Sequence, residues 1–329
     1  MPKLAKVSAI IVNWNTADLS TRVVNLLLQV GNFIKEIIVI DNNSPRGDGE
    51  YLQMAFENYP VVRVLLLPEN LGFAKACNIG AKNASGDYLL FLNPDVTFKP
   101  RDIAKLISFV IKNPDIGVAG PKFLNQDGSL QLSACTRISP WSVLIGAPLL
   151  FKIARIITLK PKIIGHVYSP IMHERIIYPD WILGACLLFR REAFEKVGGF
   201  DERFFMYCEE MDLCLRVKQA GYQVIYYPAC SIVHYGGKSA AQVPLKTAFR
   251  RAYSEFLFFE KHNGRLIGWA HVLINIFGNL VKAGLLLPII FFSAGARRKF
   301  VFYLRYVLGY LFVIKKHNSL GSTSTRQTL

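Results

Sequence analysis

Four times before residue 96 a run of β-branched and aliphatic residues halts at a polar cluster, and this recurring punctuation restricts the folds open to the chain. Residues 7–12 stop at Asn13-Trp14-Asn15-Thr16, after which Leu19, Val23, Leu26 and Leu27 recur at helical spacing. Residues 36–40 form a second buried strand, stopped by Asp41-Asn42-Asn43-Ser44-Pro45, a run of turn-forming residues. A strand at 61–67 gives way to the loop Pro68-Glu69-Asn70-Leu71-Gly72 and a helix over 73–83, and a strand at 88–92 ends at Asn93-Pro94-Asp95. Alternating strands and helices predict an α/β fold with a mostly parallel, doubly wound sheet, in which ligands bind beyond the carboxyl ends of the strands. The four polar clusters are therefore expected to converge on one crevice.

Further along, 140–178 mixes apolar residues with Lys152, Arg155, Lys160, Lys162 and Arg175, and Pro161 and Pro170 break any long helix, so a variable loop region is expected. Residues 181–189 read as one strand, 192–197 as a short helix, 209–220 as a helix, and 224–228 and 231–234 as two closing strands. A chain of 329 residues can hold one large α/β domain and a smaller unit. The expected division is a first domain over 1–245 and a basic, apolar helical region over 246–329.

That second region decides the meaning of the charge. The formal net charge is +16, which calls for a polyanionic partner. After Lys246 the only acids are Glu255 and Glu260, and the basic residues there are interleaved with long runs of Leu, Ile and Phe. Such a mixture favours a lipid interface over a nucleic-acid groove, and no nucleic-acid partner is expected. Residues 266–292 are apolar over a length that can cross a bilayer, but Asn275, Asn279, Lys282 and Pro288 interrupt them. A surface-lying, re-entrant or spanning segment all fit. The stretch 300–314 is a second apolar and aromatic segment with basic residues on both sides, and 319–329 reads as a disordered tail. Six cysteines without paired or zinc-ligand spacing read as reduced core residues. The apolar run near the N-terminus is too short for a secretion signal, which places the folded part in the cytoplasm, at the membrane face.

Four constellations carry chemistry, and each also has a plain structural explanation. Asp41, at a strand end, can accept a hydrogen bond from a nucleobase N3–H or a ribose hydroxyl, although Asp-Asn-Asn-Ser is also an ordinary turn. Asn93-Pro94-Asp95 puts a carboxylate beside an amide carbonyl, the oxygen donors that Mg²⁺ or Mn²⁺ shares with substrate phosphates, and it is equally a β-turn with Pro second. Glu209-Glu210-Met211-Asp212 sets three carboxylates in one helical turn, where they complement the macrodipole or supply a general base. His234, before Gly236-Gly237, is either a structural imidazole or a second metal ligand with Asp95.

Taken together, these segments resemble glycosyltransferase family two, and its rhamnosyltransferase-like branch in particular, over residues 7–264. The most specific likeness runs from Trp181-Ile182-Leu183-Gly184-Ala185-Cys186 through Gly198-Gly199-Phe200-Asp201-Glu202-Arg203-Phe204-Phe205 to Glu209-Glu210-Met211-Asp212-Leu213-Cys214 and Arg216. Gly221-Tyr222 and His234 follow in the family's order.

The resemblance implies a GT-A fold with the nucleotide sugar near Asn13, Asp41, Asn70, Gly72, Asn78, Asn93 and Asp95, and with Gly184 and Cys186 walling the sugar and acceptor pocket. Asp95 matches the metal-binding Asp of the family's D-x-D motif, whose first position is Asn93 here, so His234 gains weight as a ligand. The family's base is the second acid of a Glu-Asp pair and falls on Glu210, with Glu209 and Asp212 as the other candidates. The implied reaction is an inverting, Mg²⁺- or Mn²⁺-dependent transfer from dTDP-rhamnose to a lipid-linked saccharide in bacterial surface-polysaccharide synthesis. A UDP-hexose donor is the alternative within the family, and a nucleotide-sugar-binding membrane protein without catalysis the alternative outside it.

Overall fold

The computed structural model describes residues 6–138, 163–164, 167–236 and 242–324. They divide into two compact units. The first holds the described residues up to Arg137, those between 163 and 205, and 209–236; the second holds Ile138, 206–208 and everything from 242 onward.

The first unit is built on a mixed sheet. Its left half consists of β1 (Val7–Asn13), β2 (Ile34–Asp41), β3 (Val62–Leu66) and β4 (Tyr88–Leu92), all parallel. These strands alternate between two cores. Val7, Ala9 and Ile11 join Ile37, Val39, Leu90 and Leu92 on one face, while Ile10, Val12, Ile38, Ile40, Leu89 and Phe91 point to the other. Burial on both faces is what a parallel strand requires, and it explains why these runs read as continuously apolar.

Helices α1 (Ala17–Leu28), α2 (Asp48–Phe56) and α4 (Pro100–Lys112) cover the first core through Val23, Leu27, Leu52, Phe56, Ile103 and Leu106. Helices α3 (Phe73–Asn83), α5 (Arg191–Lys196) and α6 (Glu209–Gln219) cover the second through Ala74, Cys77, Phe194, Leu213 and Val217. Within that second core Phe91 packs on Phe189, Phe194 and Phe200 with ring centroids 5.2–5.8 Å apart, three rings gathered from distant segments.

The right half departs from simple winding. Strand β12 (Cys186–Arg190) runs antiparallel between β4 and β6 (Ile116–Leu124), and β13 (Gln223–His234) lies parallel to β6. The short β5 (Val96–Phe98) and β7 (Leu130–Gln131) are antiparallel additions. The full order is β3-β2-β1-β4-β12-β6-β13-β5, with β7 paired to β6.

Two sequence expectations change here. The single strand over 181–189 is two strands in different sheets, because β11 (Trp181–Ile182) pairs with β8 (Ala134–Cys135) in a small four-stranded sheet with β9 (Ile163–Ile164) and β10 (Val167–Tyr168). The chain changes sheets at Leu183-Gly184-Ala185. The two closing strands are instead one, β13, with a register irregularity between Tyr227 and Ser231 that accommodates Pro228. Most of 140–178 lies outside the described residues; its described end carries β9, β10 and a 3₁₀ turn at Met172–Glu174.

The second unit is three helices: α7 (Pro244–Asn263), α8 (Arg265–Gly284) and α9 (Ala294–Ser324). A polar cluster joins them. Arg251 Nε donates to Glu255 Oε1 at 3.0 Å, His271 Nε2 lies 3.4 Å from Glu255 Oε2, and the Tyr310 hydroxyl donates to the same carboxylate. Burial pushes the Glu255 carboxyl up, but the bond from His271, the Arg251 charge and the Tyr310 hydroxyl outweigh it and hold the group at about 2. Asn275 donates to the His271 carbonyl oxygen at 2.9 Å, completing the polar face of α8. Residues 319–324 continue the last helix, contrary to the disorder expected of them, and 325–329 lie outside the described residues. One helix, α8, is long and apolar enough among the described residues to cross a membrane.

Candidate active site

The crevice at the carboxyl ends of β1, β2 and β4 begins with a closed polar hub. Asn13 and Asp41 pair across β1 and β2, and Asn13 Nδ2 donates to Asp41 Oδ1 at 2.8 Å, Asp48 Oδ2 at 3.1 Å and Ser44 Oγ at 3.2 Å. Asn13 Oδ1 accepts from Ser20 Oγ at 2.7 Å and Thr16 Oγ1 at 3.0 Å. Every polar atom of the buried Asn13 amide is thereby engaged, which makes it the tie between two strand ends. Asp41 takes Ser44 Oγ on Oδ1 at 2.6 Å and Ser44 N–H on Oδ2 at 3.0 Å, the local bonding of a turn. Asp48 caps α1 through Ala17 N–H at 2.9 Å. Ser44 and Asp48 carry no sequence signal for this role, because a serine and an aspartate in a polar loop look the same whether or not a distant asparagine meets them.

The next loop is clamped to this hub. Asn42 Oδ1 accepts Leu71 N–H at 2.9 Å, and its Nδ2 donates to Asn70 Oδ1 at 3.2 Å and the Gly72 carbonyl at 3.3 Å. Gly72 has φ +85°, and a Cβ there would lie 2.5 Å from the Phe205 carbonyl oxygen, so glycine is required on two counts. Asn78 turns to a different partner: it donates to the Phe200 carbonyl at 2.8 Å and accepts Phe200 N–H at 2.9 Å, bracing the Gly198-Gly199 loop on α3.

Asp95 and His234 come together through the antiparallel pairing of β5 with β13, in which His234 faces Val96. His234 Nε2 lies 3.5 Å from Asp95 Oδ1, and both side chains are about one-tenth exposed. His234 Nδ1 lies 2.9 Å from Gln131 Oε1, an acceptor, so the ring donates there and turns Nε2 toward the carboxylate. Asp95 and His234 thus set an oxygen and a nitrogen donor 3.5 Å apart, a spacing that one shared cation can bridge. The remaining ring N–H held by a carbonyl oxygen is the usual second contact of a metal-binding histidine. Two protein ligands suit Mg²⁺ or Mn²⁺, which completes its shell with waters and substrate phosphates. Gln131 is legible only in the structure, since a lone Gln in a polar stretch carries no signal.

The acids of α6 are separated by the fold. Asp212 is fully buried and bonded to Arg216 at 2.7 Å, and Arg216 also donates to the Val197 and Gly199 carbonyls. Glu209 is buried, its Oε2 has no hydrogen-bond partner among the described residues, and burial together with the Glu210 charge pushes its carboxyl well up. Glu210 stands over Gly184: a Cβ on that glycine would lie 3.2 Å from Glu210 Cβ and Cγ. Ala185, the next residue after Gly184, accepts Asn93 N–H on its carbonyl at 3.0 Å. Cys186 lies fully buried in the core at β12. Immediately before α6, Tyr207 and Cys208 have φ of +74° and +65°, two consecutive side-chain-bearing residues in the left-handed region.

The family follows from comparisons with known proteins. The model of glycosyl transferase family 2 matches residues 8–198, and that of glycosyl transferase family group 2 matches 166–315. The N-acetylglucosaminyl-diphospho-decaprenol L-rhamnosyltransferase of Mycobacterium tuberculosis H37Rv is 30% identical over 245 residues, 69% of this chain and 76% of that protein. Rhamnosyltransferase WbbL of Escherichia coli K12 is 34% identical over 152 residues, 46% of this chain and 53% of the relative. Among solved structures, the Pyrobaculum calidifontis mannosyltransferase PcManGT in complex with GDP-Man and Mn²⁺ superposes with a TM-score of 0.57 at 15% identity, covering 95% of this chain and 88% of that one. GalNAc-T7 with UDP, GalNAc and Mn²⁺ does so with a TM-score of 0.51 at 18% identity, covering 70% of this chain and 43% of that one. The fold is the GT-A arrangement expected from the sequence, and the chain belongs to glycosyl transferase family 2, in its rhamnosyltransferase-like branch, and is a glycosyltransferase.

Proposed function

We propose that the protein transfers rhamnose from dTDP-rhamnose to a lipid-linked glycan at the cytoplasmic face of a membrane, by a single displacement that inverts the anomeric centre. The observation that carries the mechanism is the disposition of the three α6 acids. Asp212 is tied to Arg216 and Glu209 is buried with its charge disfavoured, which leaves Glu210, over the side-chain-free Gly184, as the base.

The acceptor hydroxyl oxygen attacks the anomeric carbon and its proton passes to a Glu210 carboxylate oxygen. The bond from that carbon to the diphosphate oxygen breaks on the opposite face, and the nucleoside diphosphate leaves with the electron pair. Asp95 and His234 would hold a divalent cation against the donor diphosphate, where it would neutralise the charge that gathers on the leaving group. Asp41 Oδ2, which has one backbone donor, keeps acceptor capacity for a base N3–H, common to thymine and uracil. Asn70, Gly72 and Asn93 line the same strand ends.

Two relatives are named as rhamnosyltransferases, and the name of the mycobacterial one includes a decaprenol-linked sugar, which favours rhamnose and a lipid-linked acceptor. The exposed apolar and basic surface of the three-helix unit favours a membrane setting. Glu210→Gln is expected to lower turnover by about 10²–10⁴-fold while dTDP affinity, measured by calorimetry with Mn²⁺, stays unchanged. Turnover within a few-fold of the unmutated enzyme would exclude Glu210 as the base, and tighter binding of UDP than dTDP would replace the rhamnose donor with a UDP-sugar.

A further inference from the structure

We infer that the turn over residues 285–293, between α8 and α9, inserts into the apolar layer of an anionic phospholipid bilayer while the basic residues at its base sit among the lipid phosphates. The inference rests on the membrane setting proposed above and adds which residues enter the lipid.

The turn reads Leu285-Leu286-Leu287-Pro288-Ile289-Ile290-Phe291-Phe292, eight consecutive residues without a polar side chain. They are not packed away. Leu285 is 72%, Phe291 79% and Phe292 89% exposed. Single exposed apolar residues are ordinary, but a contiguous apolar tip of this kind marks an interaction site.

Among the described residues, every N–H over 285–293 except that of Phe291 is bonded within the turn or to the end of α8. Leu285, Leu286 and Leu287 N–H donate to the carbonyls of Val281, Ala283 and Gly284, Ile289 and Ile290 to that of Leu286, and Phe292 and Ser293 to that of Ile289. Pro288 carries no N–H, and the Ile290 carbonyl accepts from Arg297 Nη1 at 3.1 Å. Polar backbone groups satisfied internally are the condition for entering hydrocarbon.

Charge selects the partner. From Lys261 to the C-terminus the chain has ten Lys or Arg and neither Asp nor Glu. Arg297, Arg298 and Lys299 are exposed where α9 leaves the turn, and Lys282 stands on the other side, 5.8 Å over the Tyr303 ring. An apolar tip rimmed on both sides by cations matches a bilayer whose surface is anionic and whose interior offers no hydrogen bonds. Helix α8 is bound to α7 through His271 and Glu255, so the polar half of the hairpin stays with the protein while its tip enters the lipid.

The test is flotation of the full-length protein with vesicles of phosphatidylcholine alone or of phosphatidylcholine and phosphatidylglycerol in equal parts. The unmutated protein floats with the anionic vesicles and only weakly with the neutral ones. Each ring moved from water to an apolar phase is worth about a power of ten in a partition constant, so Phe291→Glu/Phe292→Glu lowers partitioning on the order of a hundredfold. In Phe292→Trp, lipids brominated on their acyl chains quench the added indole fluorescence, read as the difference from the unmutated protein. Circular dichroism confirms that these exposed substitutions leave the helices intact. A double variant that floats like the unmutated protein, or an indole at position 292 beyond reach of the bromines, overturns the insertion and leaves the membrane setting standing. Equal flotation on neutral vesicles overturns the role of the cations. An unmutated protein that floats with neither vesicle removes the membrane setting itself.

Discussion

Replacing Gln131 by Leu tests whether Asp95 and His234 form a metal site. The substitution keeps a side chain of similar size in β7 but deletes the acceptor 2.9 Å from His234 Nδ1. With that acceptor gone, the imidazole is free to put its proton on Nε2 and to rotate, and either change removes the lone pair now turned toward Asp95. Cutting a hydrogen bond while its partner stays buried costs about 1–3 kcal/mol. Since 1.4 kcal/mol is about tenfold in an equilibrium constant, Mn²⁺ binding weakens by roughly fivefold to 150-fold. The loss typical of outer contacts to metal-bound histidines, about 10–100-fold, falls in the same range. The assay is titration of Mn²⁺ by electron paramagnetic resonance with dTDP present, which does not depend on turnover. Gln131→Glu retains an acceptor and should keep or raise the affinity. Unchanged Mn²⁺ affinity in Gln131→Leu would refute the reasoning, because His234 would then need no help to present Nε2.

Gly184→Ala puts a methyl 3.2 Å from Glu210 Cβ and Cγ, so the Glu210 side chain must shift by a few tenths of an ångström; with Glu210 as the proposed base, kcat is expected to fall about tenfold or more with thermal stability unchanged, and an unaltered kcat would dissociate Gly184 from the placement of Glu210. Glu36, in β2, accepts from Ser8, Ser85 and Arg63; burial pushes its carboxyl up, but these bonds lower it from 4.5 to about 2. Because the folded value lies below the unfolded one, the carboxylate's contribution is complete above about pH 4.5 and is lost as pH falls through about 2. Solvent screens the partly open Arg63 pair, so Glu36→Gln should cost about 1–2 kcal/mol in urea unfolding at neutral pH, less than the full shift implies. Near pH 2 the cost should almost vanish, and a cost independent of pH would contradict the linkage.

The parts of the fold legible in the sequence are those where local pattern and long-range burial agree. β1, β2 and β4 are buried on both faces, so their apolar runs announce them, and their polar ends mark the crevice. The run 181–189 is equally apolar, but its two halves choose different partners, β8 for Trp181–Ile182 and β4 with β6 for Cys186–Arg190. No local propensity encodes a change of partner. Helix α4 is absent from the sequence reading although Pro100 at its start and Ile103, Leu106, Ile107 and Val110 at helical spacing announce it. For the site, residue types are readable and roles less so. The sequence suggests Asp95 and His234 as a pair, and the fold sets them side by side. Asn13 and Asn78, expected near the nucleotide, have their amides bonded in a strand-end hub and to the Phe200 backbone, partners that the sequence does not announce. An Asn that ties two segments and one that meets a ligand look alike until their neighbours are known.

The left-handed turn before α6 sets the course of the backbone that carries Glu210, the residue proposed above as the base. Tyr207 and Cys208 each adopt a conformation that costs of order 1–3 kcal/mol for residues with side chains, and the chain keeps it because both flanks are tied. Upstream, the Phe205 carbonyl accepts Phe73 N–H at 2.7 Å beside Gly72. Within the turn's own unit, Ser254 Oγ donates to the Met206 carbonyl at 2.8 Å and the Arg251 guanidinium lies 5.8 Å over the Tyr207 ring. Downstream, Glu209 is buried, and burial together with the charge of Glu210 pushes its carboxyl well up. Within the first unit, the Glu210 side chain follows the buried Glu209 at the start of α6, and the absence of a side chain at Gly184 leaves room for it.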